Sequence, residues 1–264
     1  MNIVNSFLFY LESIKRLISG MTTYRSQFIL KFLSDLTNLA LSIIFMKFIY
    51  AVSPGIPGWT FSEYLVFVGT LYSIMVLSDI IFTKMPFELE GIIEEGNFDN
   101  ILSKPINSLL QLMAKSFDVE RIFSLIPNLV ILIYGLMQIN NGFKIINIVT
   151  YLTFIILAFA FYYSICIILC AITILMTRSY IIGALINLLE NLSYYPLTIY
   201  PKSIIFTFTF LFPIGLMAFY PSSVLLGKIT WFYILPLSGV TLTFASISIL
   251  IYNLTIRKYV SAGG

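Results

Sequence analysis

The chain has 264 residues, of which 59% are hydrophobic and only 10% are charged. Soluble domains carry about 25% charged residues, so this composition excludes a soluble globular protein and indicates a polytopic membrane protein. The formal net charge of +3 is small, and no cluster of bases is typical of nucleic-acid binding. We therefore expect no nucleic-acid partner.

Absent residue types narrow the chemistry further. The chain has no histidine, which excludes H-E-x-x-H zinc sites, haem ligation by histidine and Ser-His catalytic triads. Cys166 and Cys170 lie in an apolar run, where two thiols without further ligands form a poor metal site. The phosphate-binding pattern G-x-x-x-x-G-K-[ST] is also missing. We predict a chain without catalytic activity, metal or cofactor, whose energy source is a partner or an ion gradient.

The N-terminal segment, residues 2–20, has an amphipathic pattern. No small-residue cleavage site follows it, so it is not typical of a signal peptide. Apolar residues at helical spacing alternate with charged ones: Phe7, Leu8, Leu11, Ile14 and Ile18 against Glu12, Lys15 and Arg16. The pattern predicts a helix that lies on the inner membrane surface in contact with lipid. The alternative is an ordinary polar lead-in to the first span.

Six apolar runs follow the N-terminal segment. They cover residues 28–50, 64–83, 122–137, 148–176, 180–192 and 232–254. A helical span needs roughly 20 apolar residues, so the fifth run is short. Because the runs are continuously apolar, they indicate helices and not the alternating strands of a barrel. We predict an all-α membrane protein that forms one domain, residues 1–264, with six transmembrane helices.

The orientation of these spans follows from the positions of the bases. With the N-terminus in the cytoplasm, eleven of the 15 Lys and Arg residues fall on or near the cytoplasmic side. The other four fall on the outer side: Lys47, Lys144, Lys202 and Lys228. Cytoplasmic loops are enriched in Lys and Arg. We therefore expect a multi-pass protein with both termini in the cytoplasm.

Three acids lie within the predicted spans. Asp35 lies one turn after Lys31, which predicts an i,i+4 ion pair. Glu190 interrupts the fifth run, and an intramembrane carboxylate indicates a functional site by default. The alternative for Glu190 is a structural acid near the outer interface. We place four residues on a translocation path or gate: Asp79, Glu190, Tyr194 and Tyr195.

The segment between the second and third spans, residues 85–108, is acidic. It holds five acids, Glu88, Glu90, Glu94, Glu95 and Asp99, against the single base Lys104. Pro86 can begin a short helix that Gly96 ends, and Asn97 can cap a second turn over residues 98–103. Acids disfavour contact with anionic lipid, so the pattern favours docking onto another protein. The alternative is a solvated connector on the membrane surface.

A proline-rich segment, residues 196–229, separates the fifth run from the sixth. Its prolines are Pro196, Pro201, Pro213 and Pro221. If its apolar part, residues 204–220, crossed the membrane, the C-terminal bases Arg257 and Lys258 would lie outside, against the charge rule. We predict a re-entrant pair of short helices that enters and leaves by the outer face. The alternative is a long, bent span.

Two motifs in this sequence resemble those of a known family. Residues 90–107, EGIIEEGNFDNILSKPIN, resemble the G-x-[FL]-D-x-x-L-x-[KR]-P segment of bacterial type-two ABC exporter permeases. Residues 257–263, RKYVSAG, resemble the closing R-[RK]-Y-x-S-A-G of the same subgroup. The predicted surface helix, six spans and outer re-entrant pair extend the likeness over nearly the whole chain.

The resemblance implies a permease subunit that works with two separate ATPase subunits and a second permease, identical or paralogous. ATP and Mg would bind to the ATPases, and segment 85–108 would be the coupling element that enters a groove of the ATPase. Six residues match the motif, and Gly91 precedes it: Gly96, Phe98, Asp99, Leu102, Lys104 and Pro105. The resemblance implies that Phe98 and Leu102 are apolar knobs and that Asp99 and Glu95 face bases on the ATPase.

The family mechanism would be alternating access, with the substrate passing between the first, second and fifth spans of the two permeases. An aromatic lining suits an amphipathic drug, peptide or lipid-linked compound, as judged from Tyr180, Tyr194, Tyr195 and Tyr200. The main alternative is an ion-gradient-driven secondary transporter, although such carriers usually show repeated halves. A membrane-embedded enzyme is a distant third, because no nucleophile and base can be assembled without histidine.

Overall fold

The computed structural model describes residues 10, 12, 15, 25–139, 144–176 and 179–259, and in this part of the chain all regular structure is helical. The predicted helix over residues 2–20 lies largely outside the described residues, although Tyr10, Glu12 and Lys15 are helical. The α-helices are α1 Arg25–Val52, α2 Phe61–Ile81, α3 Met85–Glu94, α4 Phe98–Leu102, α5 Ser108–Lys115, α6 Leu125–Met137, α7 Ile145–Met176, α8 Ser179–Ser193, α9 Lys202–Phe206, α10 Phe219–Leu225 and α11 Ile234–Ile256.

Five helical segments of the described chain are long and apolar enough to cross a membrane. They are Ile29–Val52, Phe61–Glu94, Val119–Met137, Ile145–Met176 and Trp231–Ile256. The prediction of an all-α polytopic membrane protein is confirmed. The fifth predicted run corresponds to α8, which has only 15 residues, fewer than the roughly 20 that a span needs. A count of six spans therefore stays a prediction.

Helix α2 is the centre of the bundle. Fourteen of its 21 residues are buried, whereas only Leu39 and Met46 are buried among the described side chains of α1, residues 29–52. Two glycines let α2 and α6 approach closely. A Cβ at Gly69 would lie 2.7 Å from the Cβ of Leu132, and one at Gly135 would lie 3.0 Å from the backbone oxygen of Ser62. Because a side chain at either glycine would meet the neighbouring helix, this contact requires small residues.

Contacts between distant residues define the two ends of the bundle. At one end the rings of Phe98 and Tyr259 meet edge to face with centroids 4.9 Å apart, so the acidic segment and the end of α11 lie together. At the other end Lys228 Nζ lies 2.9 Å from Glu63 Oε2 and 4.7 Å from the ring centroid of Trp59. By the distribution of bases, we expect the first end to be cytoplasmic.

Segment 196–229 forms a broken helical hairpin. Its first arm is α9 with a π-helical extension, Thr207–Leu211, and its second arm is α10. The hydroxyls of Thr209 and Tyr220 are 2.6 Å apart and join the two arms. At the tip, the Phe212 ring lies 6.0 Å from that of Phe244, near the middle of α11. This geometry agrees with the predicted re-entrant pair, whose position relative to the bilayer stays a prediction.

Cysteine labelling tests the orientation and the hairpin together. We expect a membrane-impermeant thiol reagent to label Ser53→Cys and Thr230→Cys only from outside, and Ser103→Cys only from the cytoplasmic side, because all three positions are exposed. The native Cys166 and Cys170 are buried and should give little background. Permeabilised membranes should label all three variants. Labelling of Thr230→Cys from the cytoplasm would mean that residues 204–220 cross the membrane.

Candidate functional site

A polar cavity of about 310 Å³ lies among α1, α2, α6 and α8. Its polar lining includes six side chains from these helices and from the turn before α6: Asp35, Asn38, Asp79, Arg121, Asn128 and Glu190. Ionisable groups within a membrane bundle are costly and mark functional sites by default. The cavity, referred to below as the polar cavity, is therefore the leading candidate site.

A smaller aromatic cavity of about 160 Å³ adjoins the polar cavity, because Tyr72 and Tyr194 line both. The centroids of these two rings are 6.1 Å apart. Tyr195 lines the aromatic cavity. The four residues predicted on the path, Asp79, Glu190, Tyr194 and Tyr195, are thus brought to two adjoining cavities. Tyr180, which is 86% exposed, and Tyr200 line neither of them.

Glu190 lies in the polar cavity beside Tyr162. Its Oε1 accepts a hydrogen bond of 3.0 Å from the Tyr162 hydroxyl. It shares the polar cavity with Asp79 and with Lys84, the residue directly before α3. Among the described residues no ion pair includes Glu190. Both interpretations of Glu190, as a residue of the translocation path and as a structural acid near the outer interface, stay predictions.

The predicted pair between Lys31 and Asp35 is wrong. Lys31 Nζ instead lies 2.8 Å from Asp118 Oδ2 and 2.7 Å from Glu120 Oε2. Asp35 Oδ1 lies 3.9 Å from Arg121 Nη1, and Arg121 also pairs with Asp79. An exposed pair within one helix stabilises by only a few tenths of a kcal/mol, so buried partners from another element take precedence.

Asp118 is the hub of the inner ion network, which we define as Lys31, Lys84, Asp118, Glu120, Arg121, Asp79 and Asp35. Its side chain is only 2% exposed, and Lys84 Nζ lies 2.7 Å from the same oxygen that meets Lys31. Burial alone would raise the pKa of Asp118, but hydrogen bonds from Lys31 and Lys84 outweigh burial and hold that pKa below its ordinary value. The network joins α1 to the start of α3 and to the turn before α6.

Sequence reasoning missed Asp118 and Arg121 as site residues. Both lie in a short link between α5 and α6, Asp118 directly before the 3-10 helix Val119–Ser124 and Arg121 within it. In the sequence, Arg121 contributed only to the number of bases on the cytoplasmic side, which set the orientation. The available signal was the cluster of charged residues at positions 118, 120 and 121, two acids followed by one base, next to an apolar run. That pattern indicates that these residues form ion pairs, but it does not indicate which helix supplies their partners.

The coupling segment, residues 85–108, has the predicted helix boundaries. Pro86 lies in the first turn of α3, and Gly96 adopts a left-handed φ of +71° just after it, as a helix-ending glycine does. Asn97 is the N-cap residue of α4, but its side chain makes no capping hydrogen bond. Its Nδ2 instead donates to Glu95 Oε2 at 3.0 Å. Gly91 is half-buried within α3. Lys104 and Pro105 follow α4 and are exposed.

Of the two predicted apolar knobs of the coupling segment, Phe98 is not exposed, so its assignment as a knob is wrong, while that of Leu102 stays a prediction. Phe98 is fully buried, at 0% exposure, against Tyr259, and Leu102 is half-buried against the core. The physical reason is that a helix of five residues is unstable alone, so α4 uses its apolar side to attach to its own bundle. The exposed side of the segment is acidic and consists of Glu88, Glu94, Glu95 and Asp99.

A helical membrane bundle with an internal polar cavity and an acidic segment at one end has the construction of a transport subunit. Residues 36–263 match the family described as ABC-2 family transporter protein. Because the match covers most of the chain, the protein belongs to this family. Membership makes it a permease component of an ABC transporter and implies association with ABC ATPases. A search of curated proteins found no match.

Replacement of the network hub tests its contribution to stability. We expect Asp118→Asn to lower the free energy of unfolding by about 2 kcal/mol at pH 7, because two lysines lose their buried counter-charge. Since the folded pKa of Asp118 is lowered, this contribution is complete at neutral pH and is lost as the pH falls below about 4. Thermal unfolding in detergent should show the difference shrinking in acid. Glu120→Gln removes a partner of Lys31 alone, so it should lower the free energy of unfolding by less than Asp118→Asn does. Equal losses of stability in the two variants would contradict the central role of Asp118 in the network.

Truncation of the buried ring tests how the coupling segment is attached. We expect Phe98→Ala to lower the free energy of unfolding by about 3–5 kcal/mol, the usual cost of removing a buried aromatic side chain. The half-exposed Phe87 is the control, and Phe87→Ala should cost much less. Unfolding midpoints in detergent measure both. Unchanged stability together with loss of the ATPase would restore the interpretation of Phe98 as an anchor for the partner.

Proposed function

We propose that this chain is the transmembrane permease of an ATP-driven exporter, which moves an amphipathic or hydrophobic compound by alternating access. One observation carries the proposal: Lys84, the residue directly before the coupling segment, lines the polar cavity. It is the N-cap residue of α3, it lines the cavity, and it pairs with Asp118 at 2.7 Å. A displacement of α3 would therefore act directly on the cavity.

The acidic surface supports docking to an ATPase. Glu88, Glu94, Glu95 and Asp99 are exposed while the apolar side of the coupling segment is used internally. Complementary charge across an interface speeds association and sets register more than it adds affinity. Two ATPase subunits, each carrying ATP and Mg, would present bases to this surface. Their closure on ATP would push α3 against the bundle.

The inner ion network would transmit a displacement of α3 to the transmembrane helices. Lys31 and Lys84 share one oxygen of Asp118, so α1 and the start of α3 meet at a single carboxylate. Arg121 adjoins it and pairs with Asp79 in α2. Packed elements joined by buried pairs shift between discrete arrangements and do not deform continuously. The network therefore suits a switch between inward-facing and outward-facing states.

A second permease, identical or paralogous, would complete the path. Helix α1 forms one wall of the polar cavity, yet most of its surface does not contact the rest of the chain. Leu41, Ile44 and Phe48 are each at least 59% exposed. Either lipid or a partner permease can cover such an apolar face. In the proposed assembly the α1 side faces the other permease, and the cavities of the two subunits adjoin.

The broken hairpin would close the outer side. It follows directly after Tyr194 and Tyr195, and Lys228 ties its end to Glu63 at the start of α2. Compounds leaving the aromatic cavity would therefore meet the hairpin before the outer medium. Export, from the cytoplasm outward across a bacterial inner membrane, is the direction that this arrangement favours.

An ion-gradient-driven secondary transporter remains the second candidate, because carboxylates such as Asp79 and Glu190 line the cavity. The two candidates differ in their energy source. In proteoliposomes that hold the permease with its ATPase, ATP should drive accumulation of an amphipathic dye. Accumulation driven by a proton gradient without the ATPase would favour the second candidate and contradict the first.

Charge reversal on the acidic surface tests the docking. We expect Glu95→Lys to reduce the amount of co-purified ATPase about tenfold, because it places a base opposite the proposed basic groove. Glu12→Lys makes the same charge change at an exposed position outside the coupling segment and should retain the ATPase. Raised salt should weaken the unaltered complex, because exposed charges are screened. Full retention by Glu95→Lys would contradict this docking surface.

A further inference from the structure

We infer that the polar cavity selects cationic amphiphiles, compounds with a fixed positive charge next to aromatic or aliphatic groups. The inference rests on the proposed transport function and names its substrate class. Three carboxylates line the cavity, Asp35, Asp79 and Glu190. The bases are already engaged: Arg121 is shared by Asp79 and Asp35, and Lys84 is held by Asp118.

Glu190 is the carboxylate that lacks a counter-charge. Its contact is the hydrogen bond that Tyr162 donates to one of its oxygens, and no ion pair among the described residues includes it. A carboxylate inside an apolar bundle is unfavourable unless it is paired. A cationic group in the cavity would supply the missing charge, whereas an anionic group would add to an excess of negative charge.

Asn128 provides an independent sign of a ligand. Its side chain lines the polar cavity and is only 3% exposed, and within the described residues it has no hydrogen-bond partner. Nearly all buried polar groups are hydrogen-bonded. Asp35 Oδ2 is fully buried without a partner in the described part of the chain, a group of atoms to which the Asn128 amide does not belong. Both side chains are therefore available to polar atoms of a compound in the cavity.

The aromatic lining fits the same class of compound. Tyr72 and Tyr194 present their rings to both cavities, with centroids 6.1 Å apart. Aromatic faces attract cations at distances up to about 6 Å, most strongly when the cation is poorly hydrated. The volume of about 310 Å³ lies at the lower end of the usual range for small-molecule sites, about 300–1,000 Å³. A quaternary ammonium or phosphonium ion with aromatic substituents matches these features.

Two hydrophobic ions of equal shape and opposite charge provide the test. Binding of tetraphenylphosphonium and, separately, of tetraphenylborate is measured by equilibrium dialysis on the permease with its ATPase in nanodiscs, against empty nanodiscs. We expect saturable binding of the cation alone.

Glu190→Gln should weaken the affinity for the cation at least tenfold, which corresponds to about 1.4 kcal/mol. Asn128→Asp adds a carboxylate and should strengthen it several-fold, a gain that misfolding cannot produce. Glu12→Gln, at an exposed position, should bind as the unaltered protein does.

The outcomes separate this inference from the function on which it rests. Saturable binding of the anion, or equal cation binding by the unaltered protein, Glu190→Gln and Asn128→Asp, would overturn the inference. ATP-driven transport of a neutral amphiphile without saturable cation binding would also overturn it while the exporter function stands. Cation binding with the expected response of both variants, but without ATP-driven movement, would support the cationic site and contradict the exporter function.

Discussion

The structure depends on the pairing of buried charge at Asp118. A carboxylate that is 2% exposed at the inner end of an apolar bundle requires counter-charges, and Lys31 and Lys84 supply them from two different elements. Removing one partner of such a group leaves an uncompensated charge. The pairing therefore holds α1, the residue before α3 and the link before α6 in one arrangement. Two bases of this network, Lys84 and Arg121, also line the polar cavity.

The coupling segment divides its residues between two tasks. Its apolar side chains attach it to its own bundle, with Phe98 against Tyr259 and Ser108 accepting a hydrogen bond of 3.2 Å from the Tyr252 hydroxyl. Four of its five carboxylates remain at the surface, those of Glu88, Glu94, Glu95 and Asp99, whereas Glu90 is buried. A segment attached in this way can transmit a force applied by a partner, because displacement of α3 or α4 also displaces the helices that hold them.

The short helix α8 creates the space that the site occupies. It ends at Ser193, and the chain continues as a broken hairpin that Pro201 and Pro213 interrupt. Prolines remove backbone donors and end helices, so this part of the bundle does not form a regular span. Glu190 and Tyr194, near the end of α8, consequently line cavities where a longer helix would pack continuously.

The sequence by itself determined the all-α membrane class, the five long spans and the boundaries of the coupling helix, because continuous apolar runs, Pro86 and Gly96 act locally. It also singled out Asp79 and Glu190, since acids are conspicuous in apolar runs. Only the tertiary structure decided the partners: Lys31 pairs with Asp118 instead of Asp35, and Phe98 is buried against Tyr259. Ion pairs and ring contacts join residues far apart in the chain, and their energies depend on burial, which a linear pattern does not specify.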